Sequence, residues 1–263
     1  MTIIDEHADE SQPLLRKPTR QRSATARWRK HMTTYVSRDY ADVVLVCCYF
    51  ITGLLDSCSI SVWGSFVSMQ TGNTVYIGLG LANPWDSTRW IKSGVSLGSF
   101  CVGSFVFSRF HHYFSPKRRW VLCTSFTAQF ILTAIAAALV TTMGMPDFKD
   151  EIGWHVLLPI ALVAFQACGQ AFTSRALRYD ALTSVVLTST YIDLFSDAEI
   201  LYLDNSERNR RVGSTVCLLA GACLGGIFAH SSIGIAGALW VAALLKLVVV
   251  VIWAVWPARR ETL

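Results

Sequence analysis

The sequence lacks charge over stretches that are long for a soluble protein. Residues 120–143 contain no Asp, Glu, Lys or Arg, and the runs 43–62, 154–174, 212–230 and 233–256 are nearly as apolar. In a soluble helical core, charges would separate apolar residues that recur every three or four positions. About 20 apolar residues are enough to cross roughly 30 Å of hydrocarbon. These five runs therefore predict membrane-spanning helices, and a sixth, at 94–110, is shorter and richer in small residues.

Motifs for metal, disulfide and hydrolytic chemistry are also missing. All eight cysteines lie inside apolar segments, without Cys-x-x-Cys or a His at ligand spacing, which predicts packed free thiols. The sequence has no Gly-x-Ser-x-Gly elbow, no His-Glu-x-x-His and no carboxylate pair within the spans. We expect no enzymatic activity, cofactor, metal or nucleic-acid partner. An intramembrane enzyme acting on a lipid substrate stays as an alternative.

The first 40 residues are polar and basic, unlike the rest of the chain. They lack the apolar core of a cleavable signal, so we expect a disordered cytoplasmic tail at 1–40. Lys and Arg residues between 16 and 38 would be attracted to an anionic cytoplasmic leaflet. Residues 10–15, Glu-Ser-Gln-Pro-Leu-Leu, have the form of an acidic dileucine sorting signal. We expect a plasma membrane, vacuolar or endosomal location, with the lipid bilayer as a partner.

Two copies of one helical unit follow this tail. Gly53 precedes Thr71-Gly72-Asn73, and Gly169 precedes Thr188-Ser189-Thr190, with offsets of 116 and 117 residues between the copies. In each copy an apolar span precedes the polar triplet, and a Gly-rich span and a long terminal span follow it. This periodicity indicates an internal repeat. The predicted parts are repeat one at 41–143, repeat two at 154–257 and a short cytoplasmic tail at 258–263.

The segments that carry the triplets leave the number of spans open. If 64–81 and 182–197 cross the membrane, each copy has four spans and the copies are parallel. If they break or re-enter, each copy has three spans and the copies are inverted. Lys and Arg favour the cytoplasmic side. Without the N-terminal tail and Lys246, six spans place 11 of 14 basic residues inside, whereas eight spans place only eight there.

The charge distribution therefore favours the six-span topology. We predict an all-α polytopic membrane helix bundle with both termini cytoplasmic. It consists of two tandem inverted repeats, each with three spanning helices plus one broken or re-entrant element.

Polar groups between apolar flanks are the candidates for function. The run Gln70-Thr71-Gly72-Asn73-Thr74 could break a helix and turn carbonyls and hydroxyls toward a small polar solute or ion. Alternatively, the hydroxyls bond to their own helix and Gly72 allows close packing. The predicted substrate-binding residues are Asp56, Gln70, Thr71, Gly72, Asn73, Thr74, Gln170, Thr188 and Thr190.

Two ionisable residues, Asp56 and Lys246, lie within predicted spans. A charge at that depth costs about 2.5–3.5 kcal/mol on insertion scales unless it is paired, protonated or hydrated. Their helices run in opposite directions in the six-span topology, and a helical lysine leans toward its own N-terminus. We therefore predict an intramembrane charge pair between them. In the alternative, Lys246 reaches the interface while Asp56 faces a polar cavity alone.

Four glycines have a spacing that allows close helix packing. Gly94 with Gly98, and Gly221 with Gly225, form Gly-x-x-x-Gly pairs on the two Gly-rich spans. Because these spans are equivalent in the repeat, we expect them to form the contact between the copies. A homo-oligomer also stays open.

At two places the chain resembles a known family. Gly53-Leu54-Leu55-Asp56, followed by residues 66–74 (Phe-Val-Ser-Met-Gln-Thr-Gly-Asn-Thr), resembles the YoaK family of multi-pass membrane proteins, which share one domain of unknown function. The resemblance covers roughly residues 40–257 and implies a membrane location without an established activity. In the second copy, Gln170-Ala171 and Thr188-Ser189-Thr190 replace an expected Gln-Asn pair and Thr-Gly-Thr motif. This departure implies a degenerate second site.

Duplication, two polar breaks and an intramembrane carboxylate together favour a transporter of a small solute or ion. Proton coupling through Asp56 is one option. A membrane scaffold or assembly factor is the alternative, since Gly-rich faces suffice for it. If Thr71, Asn73, Asp56 and Gln170 line one water-filled cavity, transport is favoured. Burial of all four against apolar side chains favours the scaffold.

Overall fold

Helices account for about three quarters of the computed structural model, which describes residues 24–144, 151–179, 182–202 and 204–258. Within these ranges the extended contacts are two isolated bridges, Tyr35 with Arg118 and Val36 with Ala258. In chain order the helices are α1 (Ala24–Thr33), α2 (Ala41–Val62), α3 (Gln70–Ala82), α4 (Arg89–Tyr113), α5 (Arg119–Met143), α6 (Trp154–Ala176), α7 (Thr188–Phe195), α8 (Ser206–Ala229) and α9 (Gly234–Val255).

Six of these helices, α2, α4, α5, α6, α8 and α9, are long and apolar enough to cross a membrane. They have 22–25 residues each, which gives a length of about 33–38 Å. The two helices that carry the polar triplets are shorter, with 13 residues in α3 and 8 in α7. At about 20 and 12 Å they cannot span the hydrocarbon. The predicted all-α membrane bundle with six spanning helices is therefore confirmed.

The spanning helices pack as pairs across the two halves of the chain: α2 on α8, α4 on α6 and α5 on α9. Gly213, Gly221 and Gly225 lie successively against Val46, Phe50 and Leu54, so α2 and α8 run in the same direction. In contrast, α5 and α9 are antiparallel, because Gln129 bonds to Lys246 and Thr141 bonds to Trp240.

These directions place the C-terminal ends of α2 and α6 at opposite ends of the bundle. The start of α2 and the end of α9 lie at the same end, where the backbone N–H of Ser37 donates to the carbonyl oxygen of Pro257 at 3.0 Å. In the predicted repeat, α2 corresponds to α6, α4 to α8 and α5 to α9. If each helix is exchanged for its counterpart, the α2–α8 pair becomes the α6–α4 pair and the α5–α9 pair stays the same, so the helix pairing is unchanged. Two inverted copies would give this pattern, while the duplication itself stays a prediction.

The predicted contact between the two Gly-rich spans is wrong, because α4 packs on α6 and α8 packs on α2. A side chain added at Gly94 or Gly98 would have no neighbour within 4 Å, whereas one at Gly221 or Gly225 would meet the backbone of α2. The close approach of α4 to α6 is made at Gly103 instead, against the carbonyl oxygen of Phe165. Gly103 lies five residues beyond Gly98 and so on another face of the helix.

The predicted disorder of the tail at 1–40 is wrong for residues 24–40, while 1–23 lie outside the described residues. Residues 24–33 form α1, which packs on α5. The guanidinium of Arg119, at the start of α5, donates to the carbonyl oxygens of His31 and Trp256. This buried cation therefore joins the tail, α5 and the end of α9, an arrangement that composition alone does not indicate.

Candidate functional site

The irregular residues 63–69, which we call the α2–α3 segment, are held by the side chain of Asp56. Its carboxylate accepts hydrogen bonds from the backbone N–H groups of Val67 at 2.8 Å and Ser68 at 2.9 Å, and from the Ser68 hydroxyl at 2.5 Å. Asp56 and Ser68 are both buried. Hydrogen bonds to a carboxylate are among the stronger ones in proteins. The Asp56 carboxylate thus accepts the hydrogen bonds that the backbone N–H groups of Val67 and Ser68 would donate to carbonyl oxygens in a regular helix.

Asn73, in the first turn of α3, fastens the same segment from the other side. Its side-chain oxygen accepts from the backbone N–H of Phe66 at 3.0 Å, and its side-chain nitrogen donates to the Phe66 carbonyl at 2.8 Å. The nitrogen also lies 2.9 Å from Oε1 of Gln70 and 3.1 Å from Oγ of Ser96. A side chain at Gly72 would meet the Phe66 ring at 2.7 Å. The structural role of the Thr71-Gly72-Asn73 motif is therefore to fix the α2–α3 segment, through the hydrogen bonds of Asn73 and the close contact of Gly72 with the Phe66 ring.

A second polar cluster lies in the middle of the bundle, around Lys246 of α9. We call it the central cluster; its members are Thr52, Ser125, Gln129, Gln170, Ser184 and Lys246. Lys246 is 1% exposed, and its Nζ donates to Oε1 of Gln129 at 2.8 Å and to Oε1 of Gln170 at 3.2 Å. Among the described residues, no carboxylate lies within ion-pair distance of this nitrogen. Neutral amide oxygens are thus its polar partners.

Gln170 connects Lys246 to α2 and to the chain that precedes α7. Its Nε2 lies 2.9 Å from the carbonyl oxygen of Cys48, 3.0 Å from Oγ1 of Thr52 and 2.7 Å from Oγ of Ser184. Ser184 belongs to residues 182–187, which we call the α6–α7 segment. It is 1% exposed and has a φ of 60°, in the left-handed region. A polar side chain of α6 therefore holds this segment much as Asp56 holds the α2–α3 segment.

The polar contacts continue from Gln129 toward the end of α4. Nε2 of Gln129 is 3.5 Å from Oγ of Ser125, which is 3.3 Å from Nε2 of His111. Nδ1 of His111 and Oε1 of Gln166 are buried and have no hydrogen-bond partner among the described residues. Buried polar groups normally have partners, and six other buried side-chain atoms among the described residues lack one as well.

The predicted charge pair between Asp56 and Lys246 is wrong, because each side chain has other partners. Asp56 bonds to the α2–α3 segment, and the α2 residue in the central cluster is Thr52, one helical turn away. Lys246 does not reach the membrane interface either, since it is almost fully buried near the middle of α9.

The structure divides the predicted substrate-binding residues between several places. Asp56, Gln70, Gly72 and Asn73 belong to the α2–α3 segment or its contacts, whereas Gln170 belongs to the central cluster. Thr71, Thr74 and Thr188 are exposed, and the hydroxyl of the buried Thr190 lies 3.5 Å from the carbonyl oxygen of Val186.

Thr71, Asn73, Asp56 and Gln170 therefore do not line one common cavity, which was the arrangement expected for a transporter. Three of these are buried against polar partners and Thr71 lies at the surface, so neither of the two expected arrangements is found.

Sequence reasoning missed Gln129, Thr52 and Ser184. One signal was available: Gln129 and Lys246 are 117 residues apart, which equals one of the repeat offsets. Residues at equivalent positions meet where two related helices cross a two-fold axis. A search for polar residues at this offset would have found Gln129.

The fold and the central cluster define a polytopic α-helical membrane protein with a buried polar centre. Residues 44–252 match the family described as "Protein of unknown function (DUF1275)". Since the match covers most of the chain, the protein belongs to this family. No curated protein and no solved structure matches the chain significantly.

Proposed function

We propose that the protein is a transporter that moves a small solute or ion through the bundle past Lys246. The observation that carries the proposal is the burial of this lysine, near the middle of α9, with neutral amide partners. Ionisable residues inside spanning helices are costly, and they commonly mark substrate or ion pathways. A lysine with only a packing role would be replaced by an apolar residue at lower cost.

The position of the central cluster between the two halves supports the same proposal. Thr52 and Gln129 come from the first half, whereas Gln170, Ser184 and Lys246 come from the second. Transporters built from inverted repeats bind their substrates near the membrane midplane, at the junction of the repeats. The resemblance to the YoaK family adds a membrane location to this argument and no activity.

The two irregular segments would control access from opposite sides. The α2–α3 segment follows α2 and the α6–α7 segment follows α6, and these helix ends lie at opposite ends of the bundle. We assign the end with Arg38, Arg178 and Arg210 to the cytoplasm, together with both termini, because basic residues favour that side. In this proposal Asp56 holds a segment in place and does not bind the solute.

A membrane scaffold is the second candidate, and one observation favours it. The polar groups of the α2–α3 segment have partners within the chain, and the central cluster is packed, with Gln129 at 0% and Gln170 at 4% exposure. A scaffold requires such rigid packing and no passage for a solute.

Flux in liposomes distinguishes the two candidates. The purified protein is reconstituted and screened against inorganic anions, cations and small neutral and charged metabolites, with empty liposomes as the control. A transporter gives solute-specific uptake above the control and is stabilised against heat by the same solute in detergent. If no solute shows uptake or a thermal shift, the transport proposal is refuted and the scaffold is favoured.

A further inference from the structure

We infer that the central cluster binds a small monovalent inorganic anion, such as chloride or nitrate, with Lys246 as its cationic ligand. This inference rests on the proposed transport function and names the class of its substrate. It follows from the charge of the interior, from the donors around Lys246 and from a basic pocket beside the α6–α7 segment.

Buried charge in the described structure is predominantly positive. Lys246 is the buried cation near the middle of a spanning helix, whereas the buried cations Lys92 and Arg119 lie in the first turns of α4 and α5; Asp56 is the buried carboxylate among the described residues. Because Asp56 already accepts three hydrogen bonds from the α2–α3 segment, it does not neutralise Lys246. A protonated Lys246 would repel a cationic solute and attract an anion.

The hydrogen-bond groups around Lys246 also favour an anion. An ammonium group has three N–H donors, and two of those of Lys246 reach Gln129 and Gln170. The third has no oxygen acceptor among the described residues, and Nζ lies 5.9 Å from the centre of the Phe126 ring. The Ser125 hydroxyl can turn to donate, and the side-chain nitrogen of Gln170 can donate once Ser184 moves away, whereas the Thr52 hydroxyl already donates to the carbonyl oxygen of Cys48. Halide and nitrate ions need several such donors and no acceptor. A metal cation would need carboxylate or carbonyl oxygens, and the two nearest amide oxygens already face Lys246.

Ser184 shows where the anion can reach this cluster. Its hydroxyl lies 2.7 Å from Nε2 of Gln170, and its φ of 60° is unusual for a residue with a side chain. This backbone conformation is strained for a residue other than glycine. Movement of the α6–α7 segment would relieve this strain and free the Gln170 donor, so that the anion takes the place of the Ser184 oxygen.

A basic pocket of about 240 Å³ lies beside the same segment, because Leu182 contributes to its wall. Arg38, Arg178, Arg210 and Arg211 line it, and Glu207 is the acidic residue among its described lining residues. Arg210 and Arg211 form ion pairs, whereas Arg38 and Arg178 form none among the described residues. A cleft with this charge raises the local concentration of anions.

The decisive variant is Gln129→Glu, which places a carboxylate where an amide oxygen lies 2.8 Å from Nζ of Lys246. The change preserves size and supplies an internal counter-ion for Lys246. We expect the variant to be at least as heat-stable as the parent, because a buried charge gains a partner. We also expect its anion flux to fall by about tenfold or more, since the internal carboxylate competes with the anion. Gln166→Glu is the matched control for stability: it adds a buried carboxylate on α6 without a bond to Lys246 and should lower the melting temperature.

The experiment measures chloride, nitrate, potassium and glucose flux in liposomes that contain the full chain or the Gln129→Glu variant. Chloride or nitrate flux that is lost in a folded Gln129→Glu variant supports the inference. Equal anion flux in the two proteins overturns it. Flux of potassium or glucose without anion flux also overturns it but leaves the transport function standing, whereas no flux of any solute in a wider screen overturns both.

Discussion

Replacement of Asp56 with alanine removes the acceptor of three hydrogen bonds that hold the α2–α3 segment against α2. The buried N–H groups of Val67 and Ser68 would then lose their partner. An unsatisfied buried donor costs about 1–3 kcal/mol, and bonds to charged groups contribute about 1.5–3 kcal/mol. Because these contributions overlap, we expect a total loss of about 3–5 kcal/mol. Asp56→Asn keeps an oxygen for both N–H groups and should lose only about 1–2 kcal/mol.

Thermal unfolding in detergent measures this loss of stability, with size-exclusion chromatography used to determine the folded fraction after heating at each temperature. At about 2–4 °C per kcal/mol, Asp56→Ala should lower the midpoint by about 6–20 °C, and Asp56→Asn by much less. Asp86→Asn, in the exposed connection between α3 and α4, is the matched control and should leave the midpoint unchanged. If Asp56→Ala is as stable as the parent but inactive in transport, Asp56 contacts the solute and its structural assignment is refuted.

Three further predictions concern packing, topology and pH. Gly53→Val should abolish folded protein, because a Cβ at this position would lie 2.1 Å from a backbone oxygen of α8. Gly94→Ala is the control and should be tolerated, since a Cβ there has no neighbour within 4 Å. The yield of each variant after size-exclusion chromatography measures the effect. A cysteine at Tyr113, which is 81% exposed at the end of α4, should react with an impermeant reagent only from the cytoplasmic side, and external labelling would contradict the topology. The backbone N–H of Glu199 donates to the Asp197 carboxylate and lowers the pKa of that carboxyl. The ionised carboxylate therefore stabilises the folded protein at neutral pH, and this stabilisation should be lost as the pH falls below about 4 and the carboxylate is protonated. Asp197→Asn should flatten that acid slope in thermal unfolding, and an unchanged slope would rule Asp197 out as its source.

Hydropathy and charge were sufficient to predict an all-α bundle with six helices long enough to span a membrane. The uncharged run at 120–143 and the run at 233–256, in which Lys246 is the one charged residue, predict spans because the cost of placing charge in hydrocarbon is large and local. The same reasoning identified the two triplet-bearing segments as breaks, and the structure contains short helices there.

Side-chain partners were much harder to predict. Opposite charge, opposite helix directions and the lean of a helical lysine predict a pair between Asp56 and Lys246, yet the backbone of an irregular segment satisfies one and two glutamines satisfy the other. Depth along a helix can be estimated from sequence, but the face that a residue presents depends on which helices become neighbours. For the same reason the sequence does not show that Gly94 lacks a close helix contact while Gly221 has one.

The most direct test of the transport site compares two substitutions to methionine on α9. Lys246→Met removes the buried amine, whereas Val248→Met changes a residue that is 52% exposed on the same helix. Both variants are reconstituted in equal amounts after their size-exclusion profiles have been matched to the parent protein. We expect uptake of the solute carried by the parent to be lost in Lys246→Met and retained in Val248→Met. Undiminished uptake by a folded Lys246→Met variant would contradict this expectation.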